Sequence, residues 1–155
     1  MTSPAGPPKF DTQTSDAGWV SARIGRSGYR VDVHTGKHAF VVDEPVSVGG
    51  TDAVPTPYDL VLGALSSCMA ITLRMYADRK QWPLEGVHVQ LRAARSHAAD
   101  CEKCETQNVG LMTIERKIEL AGALTDAQRK RLLDVAARCP VKQSLERGIR
   151  MGGTT

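Results

Sequence analysis

From Leu60 to Tyr76 the chain is apolar or small at nearly every position (LVLGALSSCMAITLRMY). Thr56 ahead of this run offers a hydroxyl cap, Pro57 suits a first helical position, and Asp59 falls at the third position of a capping box. The pattern predicts a helix over Thr56–Lys80, and a helix apolar on all sides predicts burial on all sides. The run falls short of the roughly 20 apolar residues of a membrane span, and Arg74, Asp78, Arg79 and Lys80 punctuate its end. The expectation is a central core helix with Cys68 near its middle, and no membrane association.

The flanks change period. Trp19–Arg26 and Tyr29–Thr35 read as short strands around a Ser27-Gly28 turn, and His38–Asp43 as a third, ended by Pro45. A glycine-rich loop, Val46–Pro55, leads to the helix. Beyond Trp82-Pro83, Val87–Ser96 resumes as a strand. In Leu111–Leu120, Met112, Ile114, Ile118 and Leu120 alternate with Thr113, Glu115, Lys117 and Glu119, a half-exposed antiparallel strand whose apolar face only Arg116 interrupts. Thr125 and Gln128 form a second capping box, opening a helix through Arg138 with Leu132, Leu133 and Ala136 as its buried stripe. A short helix from Pro140 to Arg147 ends at Gly148, and Ile149–Met151 reads as a last edge strand. Met69 and Met75 read as core. Strands, a long helix, strands, then helices give an α+β fold. The Pro-rich residues 1–18 predict a disordered tail, and residues 19–155 one domain.

At 155 residues, 41% hydrophobic and 24% charged, the composition is that of an ordinary globular protein. The formal charge of +3 is small and scattered, without the basic stripe of a nucleic-acid binder. No signal-peptide core follows Met1, so the expected location is the cytoplasm. Four cysteines do not make a disulfide scaffold at this length; in a reducing compartment they point to catalysis, redox sensing or metal binding.

Cys139, with Pro140 at the next helical position, lies at a helix cap, where free N–H groups favour a thiolate. Cys68, mid-helix, gains nothing from its own helix end, and by itself reads as core packing. Residues 97–105 hold a second constellation: Cys101 and Cys104 are spaced C-x-x-C, with His97 in reach as a third ligand. A single C-x-x-C is a weak signal, and surface loop, metal site, local disulfide and redox relay all stay open. No metal and no cofactor is assigned. His34, His38 and His88 read as strand residues.

The stretch PYDLVLGALSSCMAITLRMYADRK, followed downstream by LTDAQRKRLLDVAARCPV, resembles the OsmC/Ohr family of thiol peroxidases. The resemblance rests on the cysteine in the long central helix and on the Ala137–Val141 segment. It implies an OsmC-like fold, antiparallel sheets wrapped around a buried helix, in an intertwined homodimer. It further implies an enzyme that reduces organic hydroperoxides better than hydrogen peroxide, with Cys68 attacking the peroxide and Cys139 resolving the sulfenic acid. A dithiol of lipoyl type would regenerate the pair. In the peroxidase members an arginine from the N-terminal hairpin, held by a glutamate at the start of the central helix, activates the thiolate. Here Arg26 or Arg30 would serve, with Arg30 the assigned residue. Tyr58 occupies the glutamate position and Asp59 lies beside it.

Overall fold

The computed structural model describes residues 18–95 and 112–152. The expected tail, apart from Gly18, and the constellation of His97, Cys101 and Cys104 lie outside the described residues. The chain divides into two compact units, Met1–Leu60 and Val61–Thr155.

The first unit holds a three-stranded antiparallel meander of β1 (Val20–Ile24), β2 (Val31–Thr35) and β3 (His38–Val42). Its register places Ala22, Val33 and Phe40 side by side, so the apolar alternation falls on one face. Val33 and Val42 are its buried apolar residues. The loop that follows is closed by Asp43, whose Oδ2 accepts from the Thr51 N–H at 2.8 Å and the Thr51 hydroxyl at 2.5 Å. Gly50 is required there, because a Cβ would stand 1.8 Å from the Glu44 carbonyl oxygen.

Helix α1 (Pro57–Arg79) begins as its sequence predicts. The Asp59 N–H donates to the Thr56 hydroxyl at 3.2 Å, and the Thr56 N–H donates back to the Asp59 carboxylate at 2.9 Å. Two expectations for this helix are corrected. At 23 residues, with a mean hydropathy of 1.5 in its most apolar window, it is long and apolar enough by those measures to cross a membrane. It also buries one face rather than all sides. Leu65, Met69, Leu73 and Ala77, spaced by four, form the buried stripe, whereas Ile71 and Met75 are 58% and 59% exposed. Met75 is therefore not core.

The second unit packs that stripe against β4 (Gly86–Arg95), β5 (Met112–Ala121), α2 (Asp126–Ala136) and α3 (Pro140–Arg147). β4 and β5 pair antiparallel, with Val89 opposite Ile118 and Leu91 opposite Arg116. The Thr125–Gln128 capping box is formed in full, worth about 1 kcal/mol to α2. The buried stripe of α2 is Leu132, Val135 and Ala136, while Leu133 is 43% exposed. Val135, not Leu133, shares a face with Leu132 and Ala136 at helical spacing. Ile149–Met151 pairs with no strand among the described residues, and Met151 is 95% exposed.

Two arginines clip these elements through backbone carbonyls. Arg74 of α1 donates to the carbonyls of Leu84 and Glu85, just before β4. Arg129 of α2 donates to those of Leu120 and Gly122 at 2.6 and 2.9 Å, at the end of β5. Gly122, at φ +127°, lets the chain pass the Pro83 carbonyl where a Cβ would collide.

Candidate active site

Two clusters share the α1 stripe. Towards its C-terminal end, Leu73 and Ala77 join Leu84, Leu124, Leu132, Val135 and Ala136. Towards its N-terminal end, Leu65 and Met69 join Cys139, with Cys68, Val89, Leu91, Ile114 and Val141 packed around them. The fold thus brings Cys68 and Cys139, 71 residues apart in sequence, into one cluster, both as free thiols.

The local cause is the start of α3. Cys139 occupies its N-cap and Pro140 its first turn, so the chain turns from α2 into α3 at the cysteine itself. Val141, the second residue of α3, carries one of the first-turn amides that have no partner inside the helix. That amide serves Cys68.

The electrostatics of the pair are asymmetric. Burial pushes the Cys68 thiol up, but three groups outweigh it: the Cys139 thiol, the Val141 backbone N–H and, least, the Thr72 side chain. Its pKa therefore lies below the ordinary thiol value. Thr72 stands one turn on, its hydroxyl donating to the Cys68 carbonyl at 2.7 Å. Cys139 moves the other way. Complete burial raises it first, and its bond to Cys68 raises it again, against smaller opposing contributions from the Lys142 and Val141 N–H groups. The cysteine at the helix cap is thus the proton donor, and the mid-helix cysteine is the better thiolate. Cap position alone therefore does not decide the pair: the N–H groups at the start of α3 act on both sulfurs, and burial with the shared bond outweighs them at Cys139.

The remaining expected residues lie in the first unit. Asp59 is engaged with Thr56, whose hydroxyl and then backbone N–H hold its carboxyl below the usual range. Arg30 pairs with Asp32 at 3.1 Å, both exposed. Arg26 is exposed between β1 and β2, and Tyr58 is 51% exposed. His88 of β4 faces Glu119 at 3.7 Å on the exposed side of the hairpin. No group of three potential metal ligands occurs among the described residues. Sequence reasoning missed Val141 and Thr72. The first was signalled by Pro140, the second by its i+4 spacing from Cys68.

Solved structures share this architecture. An OsmC-like protein from Mycoplasma pneumoniae superposes with a TM-score of 0.65 at 17% identity, covering 82% of this chain and 85% of that one. An organic hydroperoxide resistance protein, OsmC of Legionella pneumophila, gives 0.61 at 18% identity, covering 82% and 87%. The organic hydroperoxide resistance protein OhrB of Bacillus subtilis gives 0.57 at 18% identity, covering 81% and 87%. At these identities the likeness is one of fold. No curated protein sequence matches the chain significantly. The family model described as OsmC-like protein matches residues 50–152, which include α1, both cysteines and everything between them. With well over half of its length matched, the chain belongs to the OsmC-like protein family.

Proposed function

We propose that this protein is a thiol peroxidase that reduces organic hydroperoxides through Cys68 and Cys139. The observation that carries the reading is the placement of two free thiols, Cys68 and Cys139, in one cluster, with the Val141 N–H and the Cys139 thiol favouring negative charge on Cys68. The Cys68 thiolate attacks the outer oxygen of the peroxide, the O–O bond breaks, and the alkoxide leaves to be protonated to an alcohol. Cys68 is then a sulfenic acid. Cys139, buried against it, loses its proton and attacks that sulfur, forming the disulfide and releasing water. A dithiol of lipoyl type returns both thiols and is itself oxidised to its disulfide. The resemblance also assigns Arg30 or Arg26 to activating the thiolate and Asp59 to supporting that arginine.

The reading includes a homodimer, supported by the apolar face of α1 around Ile71 and Met75 that its own chain leaves exposed. It places the protein in the cytoplasm, where reducing thiols are available. The test is consumption of cumene hydroperoxide by the purified protein with dihydrolipoamide. Multiple turnovers that vanish in Cys68→Ser support the reading. Oxidation that stops after one equivalent would make the pair a redox sensor instead.

A further inference from the structure

Cys68 and Cys139 are free thiols packed in one cluster, and their sulfurs are near enough to share a hydrogen bond. A metal ion can take the place of the proton between two such sulfurs, with both thiol protons released on binding.

What surrounds the pair limits the ion. The side chains packed around it are apolar, with Leu65, Val89, Leu91 and Ile114 among them, and Met69 adds a thioether, itself a soft donor. The Thr72 hydroxyl beside the pair is committed to the Cys68 carbonyl at 2.7 Å. No carboxylate or imidazole completes a larger set, since no group of three or more His, Cys, Asp and Glu side chains converges among the described residues. Zinc in a structural site takes a tetrahedral ligand set, and calcium and magnesium take oxygen. A soft ion satisfied by sulfur alone is left, and thiolate with thioether selects Cu(I).

The charge is met as well. A cuprous ion between two thiolates carries one net negative charge, and a buried charge without donors is costly. The start of α3 supplies the donors. The Val141 N–H reaches both sulfurs and the Lys142 N–H reaches Cys139. Both amides lie in the first turn, where backbone N–H groups have no partner inside the helix.

We infer that Cys68 and Cys139 form a binding site for Cu(I), held between their two thiolates, with the Val141 and Lys142 amides balancing the charge. Binding uses the placement of the sulfurs and not their reaction with peroxide, so it is independent of the peroxidase reading.

Cys101 and Cys104 are a second source of thiols, and the test therefore uses the full-length Cys101→Ser/Cys104→Ser protein. Reduced and kept free of oxygen, it is titrated with Cu(I) supplied as the acetonitrile complex, against bathocuproine disulfonate as a coloured competitor. One equivalent should be taken up per chain, with Cys68 and Cys139 both protected from alkylation. Adding Cys68→Ser or Cys139→Ser should weaken uptake by more than about tenfold, the loss typical of even an outer-shell partner. Zn(II) at the same concentration should leave both thiols open to alkylation. No uptake by the folded protein, uptake that survives the loss of either cysteine, or equal protection by Zn(II) would overturn the inference. Should the Cys101→Ser/Cys104→Ser protein not fold, the parent protein is compared with its Cys68→Ser variant. One equivalent fewer in the variant then supports the site, and equal uptake overturns it. A protein that fails to turn over cumene hydroperoxide can still take up the ion, so the two readings fail separately.

Discussion

The two ends of the buried stripe on α1 have the same spacing and opposite characters. Around Leu73 and Ala77 every buried partner is apolar, drawn from the segments flanking the hairpin and from the side of α2. Polar contacts there stay at the edge, where Arg131 donates to the Tyr76 hydroxyl at 3.1 Å and Tyr76 meets Trp82 edge to face. Around Leu65 and Met69 the partners include Cys139, and what faces α1 is the start of α3. A helix side presents satisfied backbone, whereas a helix start presents free N–H groups. The first end gives a structural core; the second gives a sulfur whose anion is stabilised. What decides between them is not the hydrophobicity of α1 but which part of the opposing helix it meets.

That contrast can be broken from either end. The largest effect expected is on turnover: Cys68→Ser should abolish peroxide consumption with the fold intact, checked by kinetics beside circular dichroism. At the structural end, Leu132→Ala should destabilise the protein by about 2–5 kcal/mol, the range for truncating a fully buried leucine. The same variant should leave the Cys68 pKa in place, and denaturant unfolding alongside thiol alkylation would show both. At the chemical end, Cys139→Ala removes a donor to Cys68, so the pH midpoint of Cys68 alkylation should rise. Cys139→Ser, which keeps an O–H donor, should leave it nearer the parent value. The smallest effect belongs to the α1 cap. Asp59→Ala should cost about 1 kcal/mol at neutral pH. Because the folded-state pKa of Asp59 is depressed, its contribution is complete above the ordinary carboxylate pKa. Parent and variant should therefore converge in stability as pH falls through the depressed value.

Much of this was legible in the chain. Both capping boxes place their helix starts correctly, because the signal is local: two side chains three residues apart satisfying each other's amides. The alternation in β5 was legible too, with Arg116 already marked as its exception. Two failures came from treating composition as geometry. Leu133 is as apolar as Leu132 but points about 100° away from it, and Val135 takes the buried place. The apolar run of α1 gave no sign that only one side would be buried, since a pattern apolar all round has no periodicity to single out a face. The site was half legible. The cap position of Cys139 could be read from Pro140, but its consequence depends on a contact across 71 residues, which no local pattern encodes. The resemblance to a peroxidase family put attack on Cys68, and that role remains a proposal.

The most direct test of the central claim is mass-spectrometric trapping of sulfenic acid with dimedone after one equivalent of cumene hydroperoxide, on Cys139→Ser and on Cys68→Ser. The account predicts the adduct on Cys68 in the first variant, little on Cys139 in the second, and a Cys68–Cys139 disulfide in the parent protein. An adduct formed rapidly on Cys139 when Cys68 is absent, with Cys68 unreactive in the converse variant, would reverse the roles and contradict the account.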